Sequence, residues 1–358
     1  MKRSALRSTV WILPIVVALA VLPALADAAH TAKQTPPVKM GTSGGSSVDR
    51  STLYCCGGTL GSLVRYDGVL SILSNNHVLA RAGLARAGES TIQPGLIDNN
   101  CSATGLNVVG TYPGDKVPLG KNVDAAISTA NASVVDGTGA ILDVGVPCNA
   151  VQAPAVGLSV KKSGRTTGTT TGTVQAINST VTVQYQKGCG TGKKFTQTYT
   201  NQITIAGTGG SFSAGGDSGS LIVSNDGTPN PVGLLFAGNT STTIANPASA
   251  VVSAFTSGGH TFTFVGNACA AVAFKERPLN PPDAEIDYVT KIKESNEAAL
   301  FAHPGVIGVG VGQADDDAFR AVMVIYVDSG RHMRPHGLPS EIDGIPVKVV
   351  PTEPFVAY

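Results

Sequence analysis

Residues 53–265 are written in short apolar runs broken by Gly, Asn and Asp. The runs at 59–64, 70–73, 125–128, 172–177, 180–185, 202–205, 221–223 and 232–236 are each of strand length, and none sustains the three-to-four residue repeat of a surface helix. Many short strands at this spacing, joined by glycine-bearing turns, predict an all-β barrel or sandwich. The 43 glycines, the 5% of aromatic residues and the density of Thr and Val in the middle of the chain fit the same picture. One helix at 248–255 and a strand at 260–265 close the block.

The flanks read differently. Lys2, Arg3 and Arg7 precede an apolar run at 11–26 that holds Pro14 and Pro23, and Ala24 and Ala26 supply small residues at a cleavage position. This order predicts a secretory signal peptide over 1–26 in preference to an uncleaved anchor. Residues 27–50, rich in Ser, Gly, Pro and Thr, predict a flexible leader. The β-rich domain is expected over 51–266, and a linker over 267–282 with Pro278, Pro281 and Pro282. In 283–358 a small α+β module is expected. Asp283 caps a helix running to about 302, with Ile286, Val289, Ile292 and Leu300 on one side. Strands follow at 306–311, 321–327 and 345–350.

Several functions are excluded at this level. A net charge of +1 with 14% charged residues gives no field to hold nucleic acid. No segment after the signal is long and apolar enough to span a bilayer. The glycine-dense 305–312 follows a helix and leads into a polar turn, the reverse of a phosphate loop. His332 and His336 are separated by a helix-breaking Pro335 and do not form a metal pair, and the aspartates at 315–317 read as a solvated turn and not a calcium site. Six cysteines, Cys55, Cys56, Cys101, Cys148, Cys189 and Cys269, show no Cys-x-x-Cys spacing, which disfavours zinc. Behind a signal peptide they predict disulfides, in pairings the sequence leaves open, and a secreted or periplasmic protein. No metal or cofactor is expected.

Three segments carry chemistry: Ser74-Asn75-Asn76-His77-Val78, Val123-Asp124-Ala125-Ala126 and Gly215-Gly216-Asp217-Ser218-Gly219-Ser220. A serine hydroxyl becomes a useful nucleophile when an imidazole takes its proton. The imidazole in turn needs a carboxylate on its other nitrogen, to hold the tautomer and stabilise the cation. Glycines around the serine let the N–H groups of Gly216 and Ser218 converge on one oxyanion. Each segment alone is a weak sign; their order within a strand-rich block is a strong one.

These segments resemble the chymotrypsin-like serine proteases. The run Lys161-Lys162-Ser163-Gly164-Arg165-Thr166-Thr167-Gly168 is similar to the bacterial branch typified by α-lytic protease and the streptogrisins. The resemblance implies two six-stranded antiparallel β-barrels followed by the α+β module. It implies a triad of His77, Asp124 and Ser218 in the cleft between the barrels, and an oxyanion hole at Gly216 and Ser218. It further implies a basic partner for Asp217, with Lys162 the better match and Arg165 the second, since no Ile-Val-Gly-Gly-like start is present. Ser220 stands where the family carries a glycine, a change of packing. By the same pattern Phe212 lies at the base of the specificity pocket, and Phe236, Ala237 and Gly238 form its wall and the edge strand that pairs with substrate; Phe212 and Phe236 read equally well as plain core. With no carboxylate or histidine placed to hold a charged side chain, a small or apolar residue is expected before the scissile bond. The function implied is a secreted serine endopeptidase acting on protein or peptide substrates; the alternative is a silent scaffold on the same fold. The module at 283–358 is expected to bind the protease domain or an external partner.

Overall fold

The computed structural model describes residues 28–269, 280–330 and 337–358. The signal segment 1–26, most of the linker, and His332 and His336 lie outside the described residues.

Seven strands build a first barrel: β1 (Thr42–Ser46), β2 (Gly58–Leu60), β3 (Ser62–Tyr66), β4 (Val69–Ser74), β5 (Ser90–Gln93), β6 (Asn107–Thr111) and β7 (Ala126–Ala130). β2 and β3 are parted only by Gly61, whose N–H bonds the Leu73 carbonyl, so they act as one bent strand. The antiparallel ring then runs β1, β2/β3, β4, β7, β6, β5 and back to β1, six strands in all. A one-turn helix, α2 (Asn76–Leu79), follows β4; another of the same length, α1 (Ala28–Thr31), precedes the barrel.

A second ring is formed by β8 (Ser159–Gly164), β9 (Gly168–Gln186), β10 (Lys194–Gly207), β11 (Leu221–Ser224), β12 (Pro231–Gly238) and β13 (Thr243–Pro247). It closes antiparallel in the order β8, β9, β10, β13, β12, β11 and back to β8. The runs expected at 172–177 and 180–185 are one 19-residue strand, β9, interrupted by Asn178 at φ 50° and by register shifts against β10. The fold is therefore the expected pair of six-stranded barrels. Helix α3 (Ala248–Thr256) and strand β14 (Phe262–Phe264) follow, and β14 returns to the edge of β3.

Two expectations fail. Residues 27–50 are no flexible leader: Val38 and Met40 are buried in the first core, and β1 is buried along its whole length between β2 and β5. Small side chains (Thr-Ser-Gly-Gly-Ser) mask its strand character, because it packs against neighbours at close approach. Asp283 does not cap the following helix, α4 (Asp283–Phe301); the N-cap is Pro282, without a side-chain bond, and Asp283 sits in the first turn beside Glu285.

The α+β module is fused to the second barrel. β15 (Val306–Gln313) pairs with β9, β16 (Ala321–Asp328) with β15, and β18 (Ile345–Thr352) runs parallel to β16, with β17 (Glu341–Ile342) as its short hairpin partner. A last strand, β19 (Phe355–Ala357), lies between β9 and β12. The nearly unbroken apolar text of β16 follows from burial on both faces. Ala321, Met323, Ile325 and Val327 pack with Ile286, Val289 and Leu300 of α4, while Val322, Val324 and Tyr326 share a core with Val181, Tyr199 and Phe236 of the barrel.

All six cysteines pair: Cys55–Cys101, Cys56–Cys189 and Cys148–Cys269. The adjacent Cys55 and Cys56 diverge, one holding the first barrel to itself and the other reaching the β9–β10 hairpin of the second.

Candidate active site

His77 sits on α2 at the end of β4, Asp124 immediately before β7, and Ser218 on the turn between β10 and β11. The two asparagines before the histidine fix its turn: Asn75 Nδ2 donates to the Asp124 carbonyl at 2.7 Å and Asn76 Nδ2 to the Val117 carbonyl at 2.8 Å. Asp124 is fully buried, and its N–H donates to Asn246 Oδ1 at 3.0 Å. The imidazole and the carboxylate meet with Nδ1 donating to Asp124 Oδ2 at 2.7 Å. The His77 N–H adds a longer bond to Oδ1 at 3.3 Å.

Asp124 has a second donor that the sequence did not reveal. Tyr185 Oη donates to Oδ2 at 2.8 Å, and its oxygen accepts from Tyr199 Oη at 2.7 Å. Burial first, and the Asp124 charge next, raise the Tyr185 phenol well above its ordinary value, so it remains a donor. For His77, burial is the largest influence and disfavours the charged ring; the neighbouring Asp124, the bond to Tyr358 and the more distant Asp49 together outweigh it, and the pKa is raised above 6.5.

The serine turn is held from both sides. Thr166 Oγ1 donates to the Gly215 carbonyl at 2.6 Å, and because the peptide is trans and planar the Gly216 N–H points the opposite way. The Asp217 carbonyl accepts from Ser220 Oγ at 2.6 Å and from the Ser220 N–H at 3.0 Å, which likewise turns the Ser218 N–H outward. Ser220 is thus more than a packing change; its hydroxyl fixes a peptide of the oxyanion turn. Gly216 holds φ at +99°, and a β-carbon there would meet Thr166 Oγ1 at 2.5 Å.

Asp217 is buried with Lys162, Nζ to Oδ2 3.6 Å, and Thr167 links them: its hydroxyl accepts from Lys162 Nζ and donates to Asp217 Oδ2 at 2.7 Å. The N–H groups of Ala214, Thr166 and Thr167 complete the carboxylate's shell. Burial lowers the Lys162 pKa, opposed by Asp217. Arg165, the second candidate, is committed elsewhere: Nε and Nη2 grip both oxygens of Asp98 at 2.7 and 2.6 Å. The forked geometry suits a carboxylate on the first barrel better than one already filled by four donors.

Ser218 Oγ donates to the Phe236 carbonyl at 3.1 Å, and His77 Nε2 donates to the main-chain oxygen of Tyr358 at 2.9 Å. Among the described residues no hydrogen bond joins the serine hydroxyl to the imidazole. Phe236 contributes its carbonyl; its ring lies in the shared core, 4.9 Å from that of Tyr199. Phe212 is buried in a neighbouring core cluster, with Tyr358 packed against that cluster. Ala237 and Gly238 do form a pairing edge, and their partner is β19. A cleft of about 300 Å³ opens beside these groups, lined by Asp49, Cys56, His77, Arg81, Tyr185 and Gly216 among others. Asp49 also escaped the sequence reading; burial pushes its carboxyl up to about 6, against the pull of Arg81 and His77.

Residues 110–258 match the model of the Nal1 C-terminal domain family, a stretch that includes Asp124 and Ser218 and leaves out His77. No curated protein matches the chain. Among solved structures, a glutamic acid-specific serine protease is 23% identical, with 63% of this chain and 100% of that one covered, at a TM-score of 0.42. The Cellulomonas bogoriensis chymotrypsin is 21% identical over 64% of this chain and 99% of its own, TM-score 0.40. The α-lytic protease homolog N4 is 21% identical over 63% and 98%, TM-score 0.41. These neighbours are chymotrypsin-like bacterial serine proteases, and the likeness concerns the fold.

Proposed function

We propose that the chain is a serine endopeptidase that hydrolyses peptide bonds through an acyl-Ser218 intermediate. The observation that carries this reading is the buried His77–Asp124 pair at 2.7 Å, facing a cleft beside a serine whose turn directs two peptide N–H groups outward. Ser218 Oγ attacks the carbonyl carbon while His77 Nε2 takes the hydroxyl proton; the carbonyl oxygen becomes an oxyanion held by the Gly216 and Ser218 N–H groups. His77 returns the proton to the leaving amine as the C–N bond breaks, and water repeats the sequence to release the acid. Asp124 stays ionised and steadies the imidazolium, with Tyr185 as its second donor. Lys162 balances Asp217 so that the turn needs no freed amine. The attack requires the Ser218 hydroxyl to rotate from the Phe236 carbonyl to His77 Nε2. Three disulfides support a secreted or periplasmic setting.

A fluorophosphonate probe tests the reading. Ser218 is expected to label, and Ser218→Ala to lose both label and peptide hydrolysis, the latter by about 10⁴- to 10⁶-fold. A label that survives Ser218→Ala would place the reactive nucleophile elsewhere, and a chain that never labels even when its cleft is open is instead a silent binding protein.

A further inference from the structure

The strand β19 occupies the groove as the acyl half of a peptide substrate would. It runs antiparallel to β12 with Val356 opposite Gly238 and Ala357 opposite Ala237. One further step of that register sets Tyr358 opposite Phe236, the residue whose carbonyl holds the Ser218 hydroxyl. At that step the main-chain oxygen of Tyr358 accepts from His77 Nε2 at 2.9 Å, so the carbonyl carbon of this residue stands at the reacting centre. On its other edge β19 pairs parallel with β9, Phe355 opposite Val183, and the Phe355 ring is fully buried in the core shared with the module.

The Tyr358 side chain enters a pocket that fits it. Its ring packs against the cluster of Phe212, Leu235 and Ala245, and its hydroxyl donates to the Asn239 carbonyl at 2.8 Å. A β-carbon at Gly238 would lie 2.6 Å from the Tyr358 hydroxyl, so the ring reaches the pocket only because residue 238 has no side chain. The approach is tied down by the same loop: Asn239 Nδ2 donates to Thr352 Oγ1 at 2.8 Å and to the Glu353 carbonyl at 2.6 Å.

We propose that residues 355–358 are a ligand of the chain's own cleft, bound as the acyl half of a substrate would be, and that the pocket selects tyrosine on the acyl side of the scissile bond. This rests on the peptidase reading and sharpens it, replacing the expected small or apolar residue. An aliphatic residue or phenylalanine would leave the Asn239 carbonyl without its donor, a lysine would bring a charged ammonium into an apolar pocket, and a site built around a hydroxyl rejects analogues that lack one. While β19 is seated, the imidazole donates to Tyr358 and is withheld from Ser218, so the module acts on the protease as a competitive plug.

The test uses the full chain with Tyr358→Gly, which empties the pocket. A second variant, Val356→Pro, removes an N–H from the strand at a side chain that is 39% exposed and leaves the core intact. Labelling of Ser218 by the fluorophosphonate is expected to accelerate about tenfold or more in both; equal rates in wild type and both variants would overturn the plug. Binding is read separately in the same variants carrying Ser218→Ala, where no chemistry is needed, by anisotropy of a labelled Phe-Val-Ala-Tyr peptide. That peptide is expected to saturate the cleft, with peptides ending in Ala, Lys or Phe about tenfold or more weaker. Indifference to the last residue would overturn the tyrosine pocket. Tyrosine-dependent binding without any labelling would sink the peptidase reading and leave the plug standing, whereas labelling unaffected by either variant would do the reverse.

Discussion

The two barrels have the same six-stranded plan and receive the chain that follows them in opposite ways. The first accepts one three-residue strand, β14, at the edge of β3, and its core takes in Leu221, Val223 and Leu234 of the second barrel and Ala248, Val251 and Phe255 of α3 but no residue of the module. The second shares a core with the module and takes one of the module's strands into its groove. His77 and Asp124 come from the first barrel and are buttressed by Asn246 and Tyr185 of the second. The nucleophile turn and the specificity edge belong to a barrel whose packing continues into residues 306–358.

That contrast can be broken most forcefully from inside the second barrel. Lys162→Ala strands Asp217 in a dry site, and loss of one partner of a buried pair costs about 3–5 kcal/mol. Denaturant unfolding should register it, with the Ser218 turn loosening and labelling lost. A loss confined to activity would mean that Thr167 and the three N–H donors suffice. Tyr185→Phe reaches the acid–base pair from the second barrel. Removing a hydrogen bond to a charged group costs about 1.5–3 kcal/mol of stability, so the melting temperature should fall, and kcat/KM should fall with it as Asp124 loses a donor that holds it against His77. Tyr326→Phe deletes the bond between Tyr326 Oη and Thr204 Oγ1, 2.7 Å, which joins module to barrel. About 1 kcal/mol is expected, with amide exchange speeding up in β10 and β13 and not in β3 and β4. Equal loss of protection in both barrels would show that they unfold as one.

The smallest effect concerns pH. Hydrolysis needs neutral His77, and because its pKa is raised the rate should climb with pH only above 6.5. The stabilisation by charged His77 has the opposite sense. It is complete below 6.5 and fades as pH rises through the raised value, so β19 loosens where the base becomes competent. Asp49→Asn removes a negative neighbour and should move the acid limb of kcat/KM down by a fraction of a pH unit; an upward move would contradict the sign of that influence.

The strand-rich block was legible because strand periodicity is local in the chain, the pair of barrels came with the family resemblance, and the proposed triad was readable from its short His, Asp and Ser segments. Asp217's choice of Lys162 over Arg165 was half legible. The spacing allowed both, and only the fold shows Asp98 claiming the guanidinium. β1 was missed because a buried strand of small residues has no apolar alternation. Tyr185, Tyr199 and Asp49 were missed because nothing local marks a tyrosine that finds its carboxylate 61 residues away. β19 was invisible for a different reason: three residues give no period, and their place is set by a groove made elsewhere.

The divergence of Cys55 and Cys56 makes the cleft stiff at one end. Neighbouring links of the backbone are bolted to the two barrels, one through Cys101 and the other through Cys189. The halves cannot yawn apart there without stretching the chain between consecutive α-carbons. A ligand that pairs with the β12 edge takes the same lane in which β19 is parked, beside this stiffened end.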